Sequence, residues 1–101
     1  MRMLMKVSMN TETTNRAVRD NTLQSTIMSV ADMLKPEAMY FLPENGRRTG
    51  YFFFDMTDSS IMPQISEQLF AEFGAEIFFY PVMNKEDLQK GLQNAMSSKK
   101  K

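Results

Sequence analysis

The chain has 101 residues, with 12 Lys and Arg against 12 Asp and Glu, and it contains no His, no Cys and no Trp. That inventory excludes a disulfide framework, a thiol nucleophile, an imidazole base, a zinc finger and a His-ligated haem. The absent net charge argues against a generic nucleic-acid binder. One domain is the natural count for this length, and about two thirds of the open chain's surface is then buried, enough for one core.

The longest apolar runs, Tyr51 to Phe54 and Ile77 to Val82, fall far short of the roughly 20 residues that span a bilayer. The opening stretch Met1-Arg2-Met3-Leu4-Met5-Lys6-Val7 carries charges inside its apolar run, and no small-residue cleavage site follows. Neither a membrane partner nor a signal peptide is expected, and the cytoplasm is the default location.

Met3 to Met9 alternates, with Met3, Met5, Val7 and Met9 on one face and Leu4, Lys6 and Ser8 on the other, a strand period. Asn10 or Thr11 caps a helix whose first turn holds Glu12. That helix breaks at Asp20-Asn21 and resumes with the stripe Leu23, Ile27, Val30 and Leu34, until Pro36 stops it. Met39 to Leu42 reads as a second strand, and Asn45-Gly46 is a strong hairpin signal returning the chain through Tyr51 to Met56. Ser59 or Ser60 caps the next helix, with Pro63 in its first turn, the stripe Met62, Ile65, Leu69 and Phe73, and Gly74 as terminator. Ile77 to Met83 is a fourth strand. Asn84, with Asp87 three residues on, opens a last short helix carrying Leu88, Leu92 and Met96. A single domain over residues 1–96 is expected, followed by a flexible lysine-rich tail over 97–101.

The order strand, helix, strand, strand, helix, strand is the split βαβ or ferredoxin-like pattern of the α+β class, and right-handed crossovers give an antiparallel sheet of order 4-1-3-2. Proline cannot donate to a ladder, and Pro43 and Pro81 both fall on the expected edge strands. Strands three and four do not alternate: Tyr51 to Phe54 and Ile77 to Tyr80 are apolar on both faces. The main helices cover one face of such a sheet. The other, on the order of 400 Å² in projection, is too large and aromatic to be left in water. A second copy placed sheet against sheet covers it, unless the C-terminal helix folds over it instead.

The βαββαβ order, the aromatic strand ending Phe54-Asp55-Met56 and the run Pro81-Val82-Met83-Asn84-Lys85-Glu86-Asp87-Leu88 resemble the dimeric α+β barrel superfamily, over about the first 92 residues. That group includes muconolactone isomerase-like proteins, cofactor-free antibiotic-biosynthesis monooxygenases and many small bacterial proteins without assigned function. The resemblance is one of pattern, not of a catalytic signature. It implies a homodimer whose sheets form a barrel, often with a small-molecule pocket beside the sheet. The superfamily's haem-degrading members use a His ligand, which this chain lacks.

Polar groups on apolar strands are the candidates for chemistry, because burying them unpaired is costly. Asp55, sharing a side with Tyr51 and Phe53, lies within reach of Arg2 or Lys6 and is the candidate proton acceptor. The plainer reading of Asp55 is an ion pair at the sheet end or the start of the Thr57-Asp58-Ser59 loop. Lys6, Tyr40, Tyr51, Phe53 and Tyr80 are the candidate ligand-binding residues, the tyrosines offering an apolar ring with a hydroxyl handle. Equally, such tyrosines serve as core or interface residues. Arg47 and Arg48 either clamp an anion or cap a solvated hairpin tip. Met3, Met5, Met9, Met28, Met33 and Met56 line an adaptable pocket or simply fill the core. No calcium-loop spacing, phosphate loop or dinucleotide fingerprint occurs, so no metal and no cofactor is expected.

The leading expectation is a homodimer that binds a small apolar or aromatic molecule. The rivals are a cofactor-independent monooxygenase or isomerase acting on an aromatic or lactone-like compound, and an interaction module with no pocket.

Overall fold

The alternation at the N-terminus produces the first strand, β1 (Arg2–Ser8), in which Met3, Met5 and Val7 are buried and the residues between them are not. The computed structural model describes residues 1–99. After β1 the chain runs through α1 (Thr11–Arg19), α2 (Leu23–Leu34), β2 (Ala38–Glu44), β3 (Arg47–Asp55), α3 (Ile61–Phe73), β4 (Glu76–Pro81) and α4 (Lys85–Lys99). The strands form one antiparallel sheet of order β2-β3-β1-β4, the expected order read from the opposite edge. The molecule is thus an α+β domain compatible with a ferredoxin-like fold.

Local chemistry sets the boundaries. Asn10 Oδ1 accepts from the Thr13 amide at 2.9 Å and starts α1. Asn21, at φ 60°, breaks the helical run where it was expected to break, since asparagine tolerates the left-handed region. Lys35 closes α2 at φ 48° because Pro36 disfavours right-handed helix at the residue before it. Asn45 and Gly46 both take positive φ, the requirement of a type I′ hairpin turn. Strand β2 extends beyond the expected Met39 to Leu42 and includes Pro43, which is tolerated because β2 is an edge strand. At α3 neither Ser59 nor Ser60 caps through its side chain; Asp58 Oδ1 instead accepts from the Ser60 amide at 2.9 Å.

The core lies between the sheet and the first three helices. Met3, Met5, Val7, Phe52 and Phe54 meet Val30, Leu34, Ile65, Leu69 and Phe73, all buried. Each such side chain contributes roughly 1.5–3 kcal/mol through burial. Met9 and Met56 join them while Met28 and Met33 are exposed, so four of the six methionines in question belong to the core, Met9 at its edge beside a cleft.

The opposite face of the sheet is uncovered, and α4 does not fold over it. Asn84 and Asp87 cap one another reciprocally, Asp87 N donating to Asn84 Oδ1 at 2.8 Å and Asn84 N to Asp87 Oδ2 at 3.1 Å. Arg2 holds Asp87 at 3.0 Å, which fixes the start of α4 against β1. From there α4 projects outward, with every side chain from Lys85 to Ser98 exposed. The radius of gyration is 16.7 Å and the extents are 60 × 27 × 18 Å; a rounded chain of this length has a radius of about 13 Å. Helix α4 continues through Ser97 and Ser98. The rest of the expected lysine tail, Lys100 and Lys101, lies outside the described residues.

Candidate functional site

Cross-strand register decides which candidate residues meet. Lys6 pairs with Tyr51 on β3 and Phe78 on β4; Tyr51 pairs in turn with Tyr40 on β2, and Leu4 lies between Phe53 and Tyr80. Paired residues of antiparallel strands share a face. The sheet therefore brings Lys6, Tyr40, Tyr51, Phe53 and Tyr80 together on its uncovered side. Tyr40 is the most open of these, at 64% exposure.

A carboxylate completes the group. Glu44, the last residue of β2, forms an ion pair with Lys6 through Oε2 and accepts a hydrogen bond from the Tyr51 hydroxyl through Oε1. Tyr51 and Glu44 lean toward one another over Thr49, which is buried on this otherwise open face. Lys6 and Glu44 keep only 25% and 24% of their side-chain exposure, and the Lys6 ammonium lies 5.7 Å from the centre of the Phe78 ring. The bonds from Lys6 and then Tyr51 lower the Glu44 pKa, while Glu44 raises those of Lys6 and Tyr51. Glu44 was missed in the sequence. The signal available was its parity with Tyr40 and Leu42 along a strand running to the Asn45-Gly46 turn.

The sign of the linkage gives a testable pH dependence. A carboxylate whose folded pKa lies below its ordinary 4.5 contributes stability that is complete above that value and is lost as pH falls through the lower folded value. Thermal melts across the acid range are therefore expected to show Glu44→Gln losing less stability on acidification than the parent. Equal acid losses in the two proteins contradict the linkage. Lys6 and Tyr51, both raised, lose their contributions in the alkaline range instead.

Asp55 stands apart. It pairs in register with Arg2 at the opposite end of the sheet from Glu44. Its side chain is 72% exposed and accepts from the Met1 nitrogen at 2.7 Å. Arg2 is engaged elsewhere, by Glu37 at 2.8 Å and Asp87 at 3.0 Å. The structure thus places Asp55 with neither Arg2 nor Lys6 as its bonded partner.

A second candidate site lies where the β2–β3 hairpin passes α2, at the edge of the sheet and mostly on its helical side. Met9, Leu23, Ile27, Phe41, Leu42, Pro43, Arg48 and Thr49 line a cleft of about 410 Å³. Phe41 forms one wall and stacks edge-to-face on Phe52, ring centres 5.6 Å apart at 86°. Gly50 permits this pairing, since a Cβ there would meet Phe52 at 3.0 Å and Phe41 at 3.1 Å. Arg48 lies at the cleft, its Nη1 donating to Thr14 Oγ1 at 2.7 Å and its Nη2 to Asn15 Oδ1 at 3.0 Å. Its neighbour Arg47 points to the other face and pairs with Glu76 at 3.2 Å.

No family model, curated protein or solved structure matches this chain. Among the described residues no group of three or more Asp or Glu converges to hold a metal ion, and no helix is long and apolar enough to cross a membrane.

Proposed function

We propose that this chain acts as a homodimer that binds a small apolar or aromatic molecule, in the manner of the dimeric α+β barrel proteins it resembles. The observation that carries the binding reading is the cleft between the β2–β3 hairpin and α2. Its volume of about 410 Å³ lies in the range of small-molecule sites, and its lining is aliphatic and aromatic apart from Arg48 and Thr49. The uncovered sheet face supports the homodimer. Tyr40, Phe78, Tyr80 and Leu42 are all exposed there, and Leu88, Leu92 and Met96 form a second unpartnered stripe along α4. A second copy, sheet against sheet, buries the first and offers a surface to the second.

The Tyr51–Glu44–Lys6 group supports a second reading, a cofactor-independent monooxygenase or isomerase for an aromatic or lactone-like compound. In it Glu44 accepts the proton, Lys6 balances the charge that develops, and Tyr51 orients the substrate. Binding is placed first because the lowered pKa of Glu44 makes it a weak base near neutrality. Asp55 serves that reading only for a substrate that reaches the end of the sheet.

Native mass spectrometry on protein purified from its own host, with a denatured control, tests the proposal. The expected result is a dimer mass carrying an extra small molecule that the denatured sample lacks. An empty dimer favours the pocket-free interaction module over the binding reading. A bare monomer overturns the homodimer.

A further inference from the structure

We infer that the cleft beside α2 takes an apolar acid, a single carboxylate on an aromatic or aliphatic body, with Arg48 as its anchor. The inference deepens the binding reading and rests on it.

Among the described residues, the other cations of the sheet have carboxylate partners: Arg2 between Glu37 and Asp87, Lys6 against Glu44, Arg47 against Glu76. No carboxylate among the described residues lies within 4.0 Å of the Arg48 guanidinium. Its contacts are instead two neutral oxygens, the Thr14 hydroxyl and the Asn15 amide. Arg48 is also half-buried, whereas Arg16 and Arg19 on α1 are exposed to water. A half-buried cation without a counter-charge is costly to hold and favours any anion that reaches it.

The guanidinium is also held in place. Thr14 is wholly buried. Its hydroxyl donates to the Asn10 carbonyl at 2.8 Å, which turns the oxygen lone pairs toward Arg48. The Arg48 carbonyl accepts from the Met9 amide at 2.9 Å, tying the start of β3 to the end of β1. Arginine has five N–H donors in a planar fork, and Thr14 and Asn15 engage the two terminal nitrogens through one bond each. The other three N–H groups have no protein acceptor among the described residues, and a fixed planar fork suits a carboxylate. Thr49 aside, the rest of the lining, Met9, Leu23, Ile27, Phe41, Leu42 and Pro43, offers an apolar body only apolar contact. A single cation matches the single charge of a carboxylate better than the charge of about −1.5 to −2 on a phosphate monoester.

The test compares octanoate, octanol and octyl phosphate, and phenylbutyrate with phenylbutanol, by amide NMR titration of the intact chain. The acids are expected to move the Met9, Ile27, Phe41 and Thr49 amides and to bind at least about tenfold more tightly than the matched alcohols. Arg48→Gln is expected to erase that preference while leaving alcohol affinity within about twofold, and Arg47→Gln to leave the preference intact. Arg48→Lys, which keeps the charge but not the fork, should retain part of the preference and serves if Arg48→Gln fails to fold. Equal binding of acid and alcohol by the parent, or a preference that survives Arg48→Gln, overturns the inference while the cleft reading stands. Tighter binding of octyl phosphate overturns the carboxylate assignment. If no probe moves the cleft amides, the binding reading falls and the inference with it.

Discussion

Replacing Phe52 with alanine is expected to cost about 3–5 kcal/mol of folding stability, the range for removing a large aromatic from a packed core. Phe52 is 1% exposed on the helical face of β3, in register with Met5 on one side and Met39 on the other. Its loss leaves a cavity beneath α2 and α3 that rigid neighbours fill only in part. For a domain of this size the cost corresponds to a fall in melting temperature of roughly 15–30 °C. The same change removes the ring against which Phe41 stacks at 5.6 Å, and Phe41 is a wall of the cleft. Ligand affinity should therefore fall with stability, even at temperatures where the variant is folded. Phe54→Ala gives the control, since Phe54 is as deeply buried but Phe41 stacks on Phe52 and not on it. If the two variants lose stability and affinity in the same proportion, Phe41 does not depend on Phe52 for its placement.

Introducing charge at Tyr80 and Leu92 together, as Tyr80→Glu with Leu92→Glu, is expected to convert a dimer to a monomer without unfolding it. Both side chains are exposed in the single chain, so a carboxylate at either position should alter monomer stability by no more than about 0.5 kcal/mol. In a dimer that covers the sheet face, the same carboxylates are buried without partners, at several kcal/mol each. Helix α4 is included because the sheet face alone is small. The sheet face offers on the order of 400 Å² in projection, short of the roughly 800 Å² per partner of a standard stable interface. A helix of 15 residues is about 22 Å long and 10 Å wide, and adds on the order of 200 Å². Sedimentation analysis of parent and variant, with circular dichroism to verify folding, decides the matter. A variant that sediments as the parent dimer does places the interface elsewhere. A monomeric parent removes it altogether.

Much of the fold was legible because its signals are local. The alternation of Met3, Met5 and Val7 is a period-2 pattern that a strand must obey once one face is buried. The breaks at Asn21 and Lys35, the Asn45-Gly46 turn and the Asn84–Asp87 cap follow from residues a few positions apart. The aromatic character of Tyr51 to Phe54 on both faces told of a sheet with something to cover on each side. Lys6, Tyr40, Tyr51, Phe53 and Tyr80 were candidates by residue type, and it is the register across the four strands that gathers them on one face.

Other features depended on distance in the chain. Glu44 meets Lys6 and Tyr51 only because three strands pair in one register and two side chains lean along the sheet. Arg47 and Arg48 are neighbours that look alike in sequence, yet strand parity sends one to Glu76 on the open face and the other to Thr14 and Asn15 beside the cleft. Asp55 carried the right chemistry, and the fold set it at the sheet's end beside the Met1 nitrogen.

The elements, their order and the apolar side of each were legible before any tertiary contact, because they follow from side-chain periodicity and turn chemistry over a few residues. The tertiary structure settles which charges of the sheet are neutralised, that Arg48 meets no carboxylate among the described residues, and that α4 leaves the fold with its apolar stripe uncovered. The reason is physical: these outcomes depend on register across strands and on the helices that the crossovers lay against them, and both bring together groups far apart in the chain.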